Sequence, residues 1–190
     1  MPPPTAPSPA PPAQPAPQLR LELRSNALLL AGARDMISAV AKRFGFPDES
    51  CAQIALAVDE ALCNVIKHGY GRDPSRPIWI TVFAIGNGWE QASRNGADGQ
   101  LPDALRVVVE DEAPQVDPTQ IKSRDLDEVR PGGLGVHIIK TVMDEAVYER
   151  REKVGMRLTM LKKRVGSKAV PAGACTEPRG HGGEGDSSHG

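Results

Sequence analysis

Glu60 and Asn64 lie four residues apart in the run Ala57-Val-Asp-Glu-Ala-Leu-Cys-Asn-Val-Ile-Lys-His-Gly-Tyr70. On a helix, that spacing stacks one side chain above the other. The Glu60 carboxylate can take a proton or orient a water or hydroxyl. The Asn64 carboxamide offers an oxygen to a hard cation such as Mg²⁺. Taken alone, the pair also fits the polar edge of an amphipathic helix.

A second group with chemical potential is Asp111. It follows Leu105, Val107 and Val109 at every second position, so on a strand all four point the same way. A carboxylate at the end of an apolar row needs a donor, because burying it unpaired is costly. A backbone amide of the turn Asp111-Glu-Ala-Pro114 or a ligand amine would serve. A third feature is Pro131-Gly-Gly-Leu-Gly-Val-His-Ile-Ile-Lys-Thr-Val-Met143. Glycines before and at the start of a helix let backbone amides approach an anion. No Gly-Lys-Ser/Thr follows, so this is not a P-loop.

The elements that must position these groups follow from periodicity. Leu19 to Arg24 alternates apolar and polar, which predicts a half-buried strand. Ser25 or Asn26 is placed to cap a helix over Leu28–Phe44, with Leu29, Ala33, Met36, Ile37, Val40 and Phe44 at helical spacing. Gly45 ends it. Pro47 suits the first turn of the next helix, and Asp48 and Glu49 suit its positive end. In that helix Ile54, Val58, Ala61 and Val65 form the apolar stripe, with Glu60 and Asn64 at its edge. Ile78–Ile85 and Leu105–Asp111 read as strands, separated by a long polar, Gly-containing loop from Gly86 to Asp103. Gln115–Arg130 reads as a loop. The glycine run opens a short helix with Val136, Ile139 and Val142 or Met143 inward. Two alternating segments, Glu145–Arg150 and Met156–Lys162, read as a hairpin turning at Lys153-Val-Gly155.

Composition sets the outer bounds. Of 18 prolines, half fall in residues 2–17, a segment with little to bury. The expected organisation is a disordered Pro-rich tail over 1–18, one domain over 19–164, and a disordered Gly/Ser-rich tail over 165–190. The net charge of −1 argues against direct nucleic-acid or membrane binding. No apolar run reaches the ~20 residues of a membrane span. Three scattered cysteines make no disulfide scaffold, and the expected compartment is the reducing cytoplasm. His181 and His189 are isolated in the C-terminal tail and make a poor metal site.

The combination of Asp59-Glu60…Asn64…His68-Gly-Tyr70, Asp111-Glu-Ala-Pro114 and Gly132-Gly-Leu-Gly135-Val-His-Ile-Ile-Lys-Thr-Val-Met-Asp144 resembles the GHKL ATPases. Within them it is most similar to the anti-sigma factor serine kinases of the RsbW and SpoIIAB type, over roughly residues 19–164. The resemblance implies an α+β Bergerat fold: a two-layer sandwich, its mixed, mostly antiparallel sheet carrying helices on one face. It implies ATP and Mg²⁺ as cofactors, with Asn64 as the metal ligand and Glu60 as the general base for a serine hydroxyl. Asp111 would accept from the adenine amine. Gly132, Gly133 and Gly135 would face the phosphates, with Arg130 near the γ-phosphate. It further implies a sigma factor and a STAS-domain anti-anti-sigma protein as partners, and a homodimer. The family usually has glycine two residues after the adenine-binding aspartate, where this chain has Ala113, and Gln115 replaces a second frequent glycine. A positive φ at Ala113 would be strained, or the loop reshaped.

Two other functions fit the same residues. One is a nucleotide-responsive switch that binds partners without phosphorylating them, a reading that Ala113 and Gln115 favour and Glu60 opposes. The other is the catalytic part of a histidine kinase, which requires a phosphoacceptor histidine upstream. The first histidine in the chain is His68, inside the helix itself.

Overall fold

The computed structural model describes residues 15–86, 101–121 and 134–166. Of the expected tails over 1–18 and 165–190, residues 1–14 and 167–190 lie outside the described residues, as do residues 87–100 of the expected loop from Gly86 to Asp103, and Arg130, Gly132 and Gly133. The elements are β1 (Leu19–Arg24), α1 (Leu30–Arg43), α2 (Asp48–Asn64), β2 (Pro77–Ile85), β3 (Ala104–Glu110), α3 (Leu134–Val142), β4 (Glu145–Arg150) and β5 (Met156–Lys163). The strands form a five-stranded sheet in the order β1-β2-β3-β5-β4. All four pairings are antiparallel. This is the α+β arrangement expected, with the helices on one face.

Alternation builds that face. Ile78, Ile80, Val82 and Ala84 of β2 are buried, while Trp79, Thr81 and Phe83 between them are only partly so. β3 lies between β2 and β5 and is buried along most of its length. The helices close over the sheet with Ile37 and Ala41 of α1, Ile54, Ala57, Val58, Ala61 and Leu62 of α2, and Ile139 of α3. α2 packs against both α1 and α3. The α1 stripe differs from the expected one: Leu30, Ala33, Ile37 and Ala41 are buried, whereas Leu29 and Met36 are each 44% exposed. A short 3₁₀ turn over Ala27–Leu29, capped by the Asn26 side chain on the Leu28 amide (3.0 Å), fixes the rotation at which α1 begins.

α2 carries the candidate site. Pro47 is its cap, in an extended conformation with ψ of 156°, one residue before the first helical position. At its far end the helix widens over Val65–Gly69. There the Tyr70 amide donates to the Val65 carbonyl, five residues back (2.8 Å). Such wide turns recur at functional sites because they re-aim the side chains that follow. Among the described residues, no helix is long and apolar enough to cross a membrane.

Candidate functional site

α2 presents its two acidic neighbours to different helices. Asp59 pairs with Arg34 of α1 at 3.7 Å. Glu60, about 100° further round, faces α3. A methyl placed on Gly135 would stand 2.6 Å from Glu60 Oε2 and 3.2 Å from both Asn64 Oδ1 and Nδ2. The expected partners Glu60, Asn64 and Gly135 therefore meet at one point, and the missing side chain at 135 is what leaves room there. The buried Asn64 Nδ2 has no hydrogen-bond partner among the described residues.

From this point a cavity of about 380 Å³ runs along α2. Asn64, Val65, His68 and Gly69 line the helix side, and Gly135 and Val136 of α3 close over it. Val109, Asp111, Tyr148, Met156 and Leu158 form the sheet side. Most of the lining is apolar, with a few polar groups, as expected of a small-molecule site. Gly69 lies five residues beyond Asn64, about 7 Å along the helix axis. Its empty Cβ position is 2.9 Å from the Ala113 methyl. Ala113 thus reaches the helix across the cavity.

Asp111 is buried at the sheet end, 5% exposed. Its Oδ1 accepts from the Ala113 amide (2.8 Å) and the Met156 amide (3.1 Å). The backbone-amide answer to its burial is realised on that oxygen. Oδ2 takes no hydrogen bond from any described residue and remains for a donor from the cavity. Burial pushes the Asp111 carboxyl up from its ordinary range, against the pull of those two amides and of Arg151. The folded state therefore holds the proton more readily than the unfolded chain does. Whatever stability the group contributes is present in acid and falls as pH rises through the raised value.

The backbone around Asp111 is held from several sides. Arg151 donates to the Asp111 carbonyl (2.7 Å). The Tyr70 hydroxyl donates to the Pro77 carbonyl and accepts from the Glu112 amide, both at 2.6 Å. Gly155 has φ of +91°, and a methyl there would overlap the Asp111 carbonyl. Ala113 is not strained: among the described residues other than glycine, Arg72 alone has positive φ. The turn has kept an ordinary backbone at 113, with the neighbouring helix position, Gly69, left bare instead.

Of the expected site residues, the structure brings together Glu60, Asn64, Gly135, Asp111 and Ala113. Sequence reasoning did not find Tyr148, Gly155 or the anchoring role of Tyr70. The hairpin signal at Lys153-Val-Gly155 was legible, but its contact with Asp111 is a tertiary event with no local signature. No cluster of three or more His, Cys, Asp or Glu suited to a metal occurs among the described residues. A single carboxamide oxygen still suits Mg²⁺, which takes few protein ligands and completes its shell with water and substrate phosphates.

Comparison with known proteins gives this geometry a setting. Residues 23–162 match the histidine kinase-like ATPase domain family. The chain is 28% identical over 132 residues to the serine-protein kinase RsbW of Bacillus subtilis, covering 65% of this chain and 72% of that one. It is 26% identical over 143 residues to RsbW of Listeria monocytogenes, covering 75% and 85%. In fold it is similar to a crystal structure of RsbU and RsbW domains from Mycobacterium tuberculosis, with a TM-score of 0.50 and 17% identity. That match covers 78% of this chain and 32% of the longer one.

Proposed function

The chain belongs to the histidine kinase-like ATPase domain family, and from that premise we propose that it is an ATP-dependent serine/threonine protein kinase and anti-sigma factor. Its substrate is a STAS-domain anti-anti-sigma protein, and its other partner is a sigma factor, in a partner-switching system of the cytoplasm. The reading places the kinase in one domain over residues 19–164. The observation that supports it most is the meeting of Glu60, Asn64 and Gly135 at a cavity whose sheet end holds Asp111 with one carboxylate oxygen unused. The serine-protein kinase relatives give the chemistry its direction.

In this reading, Asp111 Oδ2 accepts from the exocyclic amine of adenine. The phosphates then extend along α2 toward Asn64. Asn64 would hold Mg²⁺ through its carboxamide oxygen; when bound, the ion neutralises phosphate charge. The bare Cα of Gly135 and the N-terminus of α3 offer room and a favourable field to the phosphates. Gly132, Gly133 and Arg130 are proposed to complete the phosphate contacts. Glu60 takes the proton of the substrate serine as its oxygen bonds to the γ-phosphorus. The bond from that phosphorus to the β–γ bridging oxygen breaks, and ADP leaves. Phosphoryl transfer needs mainly positioning and charge neutralisation, so a short list of residues suffices.

The test combines calorimetry with phosphotransfer. Wild type binds ATP in a Mg²⁺-dependent way, and Asp111→Asn weakens that binding. Asn64→Ala weakens it also. Glu60→Ala keeps ATP binding while transfer to the STAS protein falls by about 10²–10⁴. Transfer at the wild-type rate by Glu60→Ala would remove the general-base role. Binding without transfer by wild type would leave a nucleotide-responsive switch, the reading that Gln115 and Ala113 favoured.

A further inference from the structure

Tyr148 of β4 lines the cavity but has no part in the roles assigned above. It pairs with Leu158 of β5, and Leu158 pairs with Val109 of β3. The three side chains form one row across the cavity floor. Asp111 follows Val109 by two residues on the same face, roughly 7 Å further along the strand direction. Floor residues at the two ends of this patch thus carry its two hydrogen-bonding side chains, Asp111 and Tyr148, with Val109, Leu158 and Met156 between and beside them.

The Tyr148 hydroxyl is covered from solvent and has no hydrogen-bond partner among the described residues. A buried hydroxyl left unpaired destabilises the fold, and natural structures rarely tolerate one without a reason. Burial also pushes its pKa up to about 12, so at neutral pH the oxygen keeps its proton and can donate it. Asp111, as a carboxylate, can only accept. Asp111 and Tyr148 thus place one acceptor and one covered donor on the same face of the sheet, at a cavity that both residues line.

We propose that the Tyr148 hydroxyl is the second polar contact to the nucleotide base, donating to a ring nitrogen beside the exocyclic amine that Asp111 holds. An amine flanked by unprotonated ring nitrogens is the pattern of adenine. The inference rests on the nucleotide reading above and adds to it a specificity residue. It also explains why an unpaired hydroxyl persists in an otherwise apolar row: its partner arrives with the ligand.

Tyr148→Phe in the full chain tests this with two readouts. ADP affinity by calorimetry should fall about five- to tenfold, the effect of one hydrogen bond. The melting temperature of the ligand-free variant should hold or rise, because an unpaired hydroxyl has been removed. ADP analogues lacking the ring nitrogen at position 1 or at position 7 identify the acceptor. One of them should bind wild type more weakly by the same factor and lose nothing further in Tyr148→Phe. Wild-type affinity in the variant, or equal further loss with both analogues, would overturn the proposal. So would a lower melting temperature with unchanged affinity, which would mark a structural hydroxyl. If wild type binds no ADP, the nucleotide reading fails and this inference with it. If wild type binds and only the Tyr148 effects are missing, the inference alone fails.

Discussion

At the sheet end of the cavity the Asp111 turn is fastened by Met156, Arg151, Tyr70 and the close approach of Gly155. At the helix end Glu60 and Asn64 converge on Gly135, and the Asn64 amide nitrogen is left without a partner among the described residues. The first arrangement fixes one carboxylate oxygen in space before any ligand arrives. The second keeps its polar groups unspent. Recognition of a rigid base rewards the first, since each hydrogen bond is made without ordering a loop. Chemistry on a charged, changing group rewards the second, since side chains that are already paired must break bonds to take part.

The contrast can be broken from the sheet end most severely. Gly155→Ala puts a methyl into the Asp111 carbonyl at a φ that L-residues avoid. It should destabilise the fold by at least ~2 kcal/mol and abolish ADP binding, read by urea denaturation and calorimetry. Unchanged stability would mean that the hairpin does not clamp Asp111.

At the helix end the expected signs differ. Gly135→Ala meets the flexible end of Glu60 rather than backbone. Within a helix it gains up to about 1 kcal/mol of propensity. Stability should hold or rise while phosphotransfer falls tenfold or more through displacement of Glu60. Equal loss of stability and activity would erase the distinction between the two ends.

The smallest expected effect sharpens the first point. Tyr70→Phe removes a donor to the Pro77 carbonyl and an acceptor from the Glu112 amide. A loss of about 1–2 kcal/mol in stability is expected, with ADP affinity falling only a few-fold because the Met156 and Arg151 contacts remain. Affinity that falls as far as in Gly155→Ala would make Tyr70 the dominant anchor.

Much of this was legible before the fold. The boundaries of β1 were read from alternation alone, and those of β2 and β3 to within a residue. The four-residue spacing of Glu60 and Asn64 carried the helix end of the site. Asp111 was legible as a carboxylate closing an apolar row. What escaped has a common cause. The rotation of α1 depends on the 3₁₀ turn before it, and periodicity cannot see the phase at which a helix begins. Of the two alternatives left open at Ala113, strain or a reshaped loop, the ordinary backbone agrees with the second, and what made room for its methyl, Gly69, lies more than forty residues away. Tyr148 reads in sequence as one more residue of an alternating segment. Its significance comes from a hydroxyl that lacks a partner, which only three-dimensional packing reveals.

The strand pairing also orders events during synthesis. β1 waits for β2, with Leu19 opposite Val82, and β3 waits for β5, with Ala104 opposite Lys163. Among the described strands only β4 and β5 are close neighbours in the chain. Non-local pairs close slowly, because loop entropy is spent before contacts return it. A nascent chain that has made only β1–β3 and α1–α2 still lacks the Met156 amide that holds Asp111. The sheet end of the cavity is therefore complete only once β5 has been made, and a chain interrupted before Met156 lacks one of the two amides on Asp111.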